Sequence, residues 1–316
     1  MPEDPIHPDD PAFVYDEFAL LHENCSEYGL PAPDGTVGER VEVLLDGDRG
    51  VSGIRWGGAT PKVVMVHGGA QNAHTWDTVV MAMRPVPVLA VDMPGHGRSG
   101  WRDDGRYDPR SSAADIARLV DAYAPDASLL VGMSLGGLTA TSLAATRPDL
   151  FDRLVVVDVT PGVDREKAAD VHAFIEGPQS FASFEEIFAR TVEFNPTRAP
   201  SSLRRGILHN AHRLPDGSWQ WNYDRRRFDV TEYDYSVAHA ELWDDVGATT
   251  LPYLLLRGGN SPVVDDADVA ELLRRRPDAV VEVVDGAGHS IQGDRPLELA
   301  ERLMAELAAV RGPEPS

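Results

Sequence analysis

The chain has 316 residues, 42% hydrophobic and 25% charged, enough for one large domain or two small ones with a packed core. Lys and Arg total 29 against 51 Asp and Glu, a net charge of −22, which argues against nucleic acid or an anionic membrane as partner. A single cysteine excludes an internal disulfide, no apolar run approaches the ~18 residues of a spanning helix, and Met1–Asp10 lacks a signal-peptide pattern. The expectation is a soluble cytoplasmic protein. Cys25 lies among acids that should raise its thiol pKa, and reads as incidental.

Residues 1–35 are rich in Pro, Asp and Glu, and predict a loosely ordered acidic extension with a short helix near Tyr15–Glu23. Alternation at Val41, Val43 and Leu45, then Asp46-Gly47-Asp48, then Val51–Trp56 predicts a β-hairpin. Further on, β-branched runs at 62–66, 86–91, 128–131, 154–157, 251–256 and 279–284 read as buried strands. Helical patterns at 75–83, 113–122, 135–146, 264–275 and 297–309 fall between them. This alternation predicts an α/β fold with a mainly parallel sheet flanked by helices. Residues 161–245 break the rhythm with helical patterns and a hairpin turned at Leu214–Ser218, too long an insertion for a loop. The predicted organisation is therefore an extension (1–35), a core (36–160), a cap or lid (161–245) and the rest of the core (246–316).

Gly132-Met133-Ser134-Leu135-Gly136 fits G-x-S-x-G. It follows a buried strand and opens a helix, so Ser134 belongs on a sharp strand-to-helix turn with small neighbours. His67-Gly68-Gly69 follows the first buried strand. Asp92-Met93-Pro94-Gly95-His96-Gly97-Arg98-Ser99 and Gly286-Ala287-Gly288-His289 follow later ones. Together these landmarks resemble, in order, those of the α/β-hydrolase family, and the resemblance covers about residues 39–310. It implies an α/β-hydrolase fold, a nucleophile at Ser134, an oxyanion loop at His67–Gly69 and a catalytic base at His289. By the same resemblance, His67, His96 and Asp92 tie loops together.

Each part has a chemical reason. A serine hydroxyl needs a base within hydrogen-bond reach, and imidazole titrates near neutrality. The oxyanion needs two N–H donors, for which Leu135 and Gly69 are the candidates. The orienting acid is open between two residues. Family members most often place it in a G-x-x-D pattern after the penultimate strand, but Gly258-Gly259-Asn260-Ser261 puts a serine there. Asp158 ends the neighbouring strand and is favoured, and Asp265 is the alternative. Trp76 is a core or lid-contact residue and, with Met133, a candidate for substrate contact.

The cap supplies Phe174, Ile175, Phe181, Phe184, Phe188, Phe194, Trp219 and Trp221, most of them needed for its own core. Between Arg198 and Arg227 stand seven arginines (198, 204, 205, 213, 225, 226, 227) and two acids. They either attract an anionic substrate or pair with the acidic body, and the latter is the simpler expectation. His209 and His212 read as surface or lining residues. The sequence as a whole predicts a cap-bearing serine hydrolase acting on a small-molecule carboxylic ester, thioester or lactone, with no metal and no organic cofactor. A C–C bond hydrolase or cofactor-free haloperoxidase on the same fold, and a non-catalytic ligand receptor, are the competing readings.

Overall fold

A computed structural model describes residues 7–33, 38–196, 198–225 and 235–310. Strands β1 (Gly38–Leu44) and β2 (Gly50–Trp56) form the expected hairpin. Then follow β3 (Val63–Val66), α2 (Asp77–Ala82), β4 (Val88–Val91), α3 (Pro109–Tyr123), β5 (Leu129–Met133), α4 (Leu135–Thr146) and β6 (Arg153–Val157), with α1 (Leu21–Glu27) preceding them all. After the insertion come β10 (Tyr253–Gly258), α9 (Asp266–Arg275), β11 (Val280–Val284), α10 (Ile291–Asp294) and α11 (Pro296–Val310). The sheet order is β1-β2-β4-β3-β5-β6-β10-β11, antiparallel through β2–β4 and parallel from there on.

Both faces of the central strands are buried, as their unbroken apolar runs require. Val64, Val66 and Leu130 face α3 and α4, while Val63, Met65, Leu129 and Val131 face α1, α2 and α11. β11 departs from this expectation. It ends the sheet, and Val280 and Val283 are exposed because, among the described residues, no further strand pairs with that edge.

The insertion between β6 and β10 carries α5 (Ala169–Ile175), β7 (Ser180–Phe181), α6 (Phe184–Phe194), α7 (Pro200–Asn210), β8 (Ala211–Arg213), β9 (Trp219–Trp221) and α8 (Tyr235–Ala248). β8 and β9 are joined by the turn at Leu214–Ser218, where the Leu214 N–H donates to the Ser218 carbonyl at 2.7 Å. Phe181, Phe184, Ile187, Trp219, Trp221 and Tyr223 form a separate apolar cluster that reaches Ala70.

The extension is not loosely ordered over residues 7–33. Leu21 and Cys25 are buried against Trp56 and α2, and the helix lies at Leu21–Glu27 rather than at 15–23. The acids that obscure it in sequence have partners. Glu17 pairs with Arg40 and Arg98, and Glu23 and Glu27 pair with Arg205. The Cys25 thiol pKa is raised, and burial rather than nearby acid is the main cause.

Candidate active site

Ser134 ends β5 and precedes α4. Its backbone sits at φ 53°, ψ −125°, a conformation a non-glycine residue holds only under constraint. The constraint is packing. A Cβ on Gly136 would lie 2.3 Å from the His67 carbonyl oxygen, and one on Gly132 would lie 2.3 Å from the Gly136 carbonyl oxygen. The two glycines of G-x-S-x-G thus let α4 start directly against β5 and β3. The twelve-residue α4 places its positive end at Ser134.

His289 lies in the loop after β11. Its Nε2 is 3.0 Å from Ser134 Oγ and its Nδ1 is 2.8 Å from Asp158 Oδ2. A carboxylate only accepts, so Nδ1 carries the proton and Nε2 is left to accept from the Ser134 hydroxyl. The loop is held from behind, since the Gly288 N–H donates to Asp294 Oδ2 at 2.9 Å.

Asp158 follows β6 with φ 51° and is fully buried. Three donors meet its carboxylate. Besides His289, the Gly258 N–H donates to Oδ1 at 2.8 Å and the Ser261 hydroxyl donates to Oδ2 at 2.5 Å. Ser261 occupies the position where family members most often carry the acid, and here its hydroxyl supports the carboxylate on the next strand. Asp265 is elsewhere. It caps α9 by accepting from the Asp268 N–H and pairs with Lys167.

The loop after β3, expected from the sequence to receive the oxyanion, is braced by two histidines. The Met93 N–H donates to His67 Nε2, so the His67 Nδ1–H donates to the Gly68 carbonyl at 2.7 Å. In the same way the Ala70 N–H donates to His96 Nε2, and His96 Nδ1–H donates to the Pro94 carbonyl. Asp92 accepts from the Ala73 and Arg98 N–H groups and from Arg40. Gly68 passes close over Ser134, since a Cβ there would lie 3.2 Å from the Ser134 Cβ. Among the described residues, the Gly69 and Leu135 N–H groups have no acceptor.

A cavity of about 380 Å³ opens above these groups. Gly69, Met133, Ser134 and His289 line it, with Phe174, Ile175, Phe194 and Trp221 from the insertion. Trp76 does not line it. That side chain is fully buried among Ile54, Val79 and Met83, so Trp76 packs in the core and is not the substrate contact expected from the sequence. His209 lines the cavity and is buried, whereas His212 is exposed.

Sequence reading missed two features. Asn72 and Asn210 stitch the insertion to the oxyanion loop. Asn210 Nδ2 donates to the Ala70 carbonyl at 2.6 Å, and Asn72 Nδ2 donates to Asn210 Oδ1 at 3.2 Å. No local motif announces a contact over 140 positions. The second is a buried group of His74, Asp77 and His209, whose nitrogen and oxygen atoms lie within 4.8 Å of one another, a spacing a metal would accept. His74 argues against that use. Its Nδ1 bonds Asp77 at 3.0 Å and its Nε2 bonds Glu17 at 3.0 Å, so both nitrogens are donors and no lone pair is left. Burial opposes the charge, but the carboxylates outweigh it and raise His74 to about 9. Glu17 is held at about 2 against its own burial by His74 and Arg40.

Among the described residues, no helix is long and apolar enough to cross a membrane. Comparison with known proteins gives a consistent family. Esterase Rv0045c of Mycobacterium tuberculosis is 45% identical over 93% of this chain and 96% of its own. A crystal structure of that esterase superposes with a TM-score of 0.78, covering 94% of this chain and 99% of that one. The 2-(acetamidomethylene)succinate hydrolase of Mesorhizobium japonicum is 28% identical over 82% of this chain and 91% of its own, and the mouse (Mus musculus) sn-1-specific diacylglycerol lipase ABHD11 is 28% identical over 84% of both. The model of the alpha/beta hydrolase family matches residues 63–302, and with the sheet order and the strand-end placement of Ser134, Asp158 and His289 this makes the chain a member of the alpha/beta hydrolase family.

Proposed function

We propose that the protein is a serine hydrolase of carboxylic esters, with Ser134 as nucleophile, His289 as general base and acid, and Asp158 as the orienting acid. The observation that carries this reading is one imidazole bonded at 2.8 Å to a buried carboxylate and at 3.0 Å to a serine hydroxyl on a constrained turn. The 45% identity to an esterase supports the reaction class.

In this mechanism Ser134 Oγ attacks the ester carbonyl carbon as its proton passes to His289 Nε2. The developing imidazolium is stabilised by the Asp158 carboxylate through Nδ1–H. The negative carbonyl oxygen is received by the Leu135 and Gly69 N–H groups and by the positive end of α4. His289 then returns the proton to the leaving alkoxide, which departs as the alcohol. Water, deprotonated by the same imidazole, cleaves the acyl-enzyme and restores Ser134. The insertion at 161–245 acts as a lid, roofing the acyl site with Phe174, Phe194 and Trp221 and excluding bulk water. Thioesters and lactones present the same carbonyl and fall within this chemistry.

The test is labelling with a fluorophosphonate together with turnover of 4-nitrophenyl esters of graded chain length. Wild type should label and turn over, and Ser134→Ala should do neither. A protein that neither labels nor hydrolyses any ester would end this reading in favour of a binding role.

A further inference from the structure

The arginine-rich stretch of the insertion largely pairs with the acidic body. Arg204 and Arg205 bind Glu23, and Arg205 also binds Glu27. Arg213 donates to the Asp10 carbonyl and Arg225 to the Glu176 carbonyl. Arg226 and Arg227 lie outside the described residues. Arg198 differs from all of these. It lines the same cavity as Ser134 and His289, and no described carboxylate comes within 4.0 Å of it. Among the described residues its guanidinium makes one hydrogen bond, at 3.3 Å from Nη2 to Ser202 Oγ, and its Nε is buried without a partner. Burial pushes its pKa down, the reverse of a satisfied ion pair. The acid it feels most is Asp294, whose Oδ2 is already engaged by the Gly288 N–H.

The other cations on this wall, Lys167, Arg205 and His74, are paired, while the carboxylates of Asp170 and Asp294 also line it. Lys167 sits between Asp265 and Asp268, Arg205 between Glu23 and Glu27, and Asp77 against His74. Two neutral hydroxyls accompany Arg198, those of Ser202 and of Tyr28, which lines the cavity too. The guanidinium rests against Gly293, where a Cβ would lie 2.5 Å from Nη2. Gly293 lies in α10, directly after the loop that carries His289, so the cation and the imidazole border one cavity.

We propose that Arg198 anchors a carboxylate carried by the substrate, making the preferred substrate a half-ester of a short dicarboxylic acid. This rests on the hydrolase reading and names its substrate class. A planar guanidinium presents paired N–H groups that match a carboxylate's two oxygens, and the hydroxyls of Ser202 and Tyr28 add neutral donors. Asp294 and Asp170 on the same wall already add negative potential, so Arg198 favours a ligand with a single negative charge. A dianion such as phosphate would keep an uncompensated charge in a chain of net charge −22. That net charge does not forbid a monoanion, because the surface field is screened over about 8 Å at physiological salt while the contact with Arg198 is direct.

The experiment reads binding without turnover. Monomethyl and dimethyl glutarate are titrated by calorimetry into Ser134→Ala and into Ser134→Ala/Arg198→Gln. The monoester should bind Ser134→Ala about tenfold more tightly than the diester, as one charge-assisted contact implies. Arg198→Gln should bring the ratio close to one, and Arg198→Lys, which keeps charge but not the fork, should fall between. Arg204→Gln, removing a cation already paired with Glu23, should leave the ratio as it was. Equal affinities for the two esters in Ser134→Ala, or a preference that survives Arg198→Gln, would overturn the proposal. Neither result touches the hydrolase reading, whose failure would instead appear as a wild type that neither labels with fluorophosphonate nor turns over any ester.

Discussion

Asp158→Asn isolates the contribution of the orienting carboxylate, and the hydrogen bonds around it set the size of the effect. An asparagine has one acceptor oxygen where Asp158 uses two, at 2.8 Å from the Gly258 N and 2.8 Å from His289 Nδ1. If the amide oxygen keeps the buried Gly258 N–H, the amide NH₂ faces His289. Nδ1 must then accept, the proton moves to Nε2, and the base can no longer take the Ser134 proton. Turning the amide over restores the productive tautomer but sets two donors against each other at Gly258, at a cost of about 1–3 kcal/mol. In either orientation the imidazolium loses a charged partner, a further ~2–3 kcal/mol. Together these raise the barrier by about 3–6 kcal/mol, a fall of roughly 10²–10⁴ in kcat. KM should change little, since Asp158 is fully buried and does not reach the cavity. Steady-state hydrolysis of 4-nitrophenyl acetate, with Asp265→Asn in parallel, is the assay. Asp265→Asn should keep the cap of α9, since Asn accepts at an N-cap as well as Asp, and leave kcat within a few-fold of wild type. A loss below tenfold in Asp158→Asn, or an equal loss in Asp265→Asn, would refute the assignment of the acid.

Other consequences are equally open to measurement. Moving the carboxylate back, as Asp158→Ser/Ser261→Asp, should recover at least about tenfold in kcat over Asp158→Ser alone, because both side chains reach the same place from neighbouring strand ends; no recovery would show that the two positions are not equivalent. The His74 ion pairs should give stability a pH dependence. His74 titrates near 9 folded against 6.5 unfolded, so its contribution is full below pH 6.5 and disappears as the pH rises through 9, a term on the order of 3 kcal/mol. Glu17, at about 2 against 4.5, contributes fully above pH 4.5 and loses its contribution as the pH falls toward 2. Urea unfolding should therefore show a decline between pH 6.5 and 9 that His74→Gln flattens, and identical slopes would dismiss the charged histidine. Gly136→Ala, with its Cβ 2.3 Å from a carbonyl oxygen, should cost about 3 kcal/mol or more, whereas Gly247→Ala, with nothing within 4 Å in a helix, should gain up to about 1 kcal/mol; thermal melts of both variants check the pair.

The parts of the fold that were legible are those whose signal is local. Strands buried on both faces write themselves as unbroken Val and Leu runs, and 62–66, 154–157 and 279–284 lie within a residue or two of β3, β6 and β11. Helix starts were less clear where capping outran periodicity. α3 begins at Pro109, because Asp108 accepts from the Ser111 N–H and proline suits a first turn, four residues before its apolar pattern becomes regular. The packing of residues 7–33 was hidden for a different reason. Glu17, Glu23 and Glu27 look like solvated charge until Arg40, Arg98 and Arg205 are brought to them from elsewhere in the chain.

The placement of the acid shows what a sequence leaves out even when every residue of a site is visible in it. Ser261 read as a departure from the family's pattern because a pattern records positions along one strand, while an imidazole responds to positions in space. β6 and β10 are adjacent and parallel, with Val157 opposite Leu256, so the turns that follow them rise side by side beneath His289. A carboxylate on either turn can meet Nδ1, and the turn that does not carry it must still offer donors to it. Gly258 N–H and Ser261 Oγ do this from the β10 side, which leaves Asp158 buried and aimed by three donors. The serine is thus complementary to the acid's move, and the two residues are best understood as one arrangement distributed over two strands.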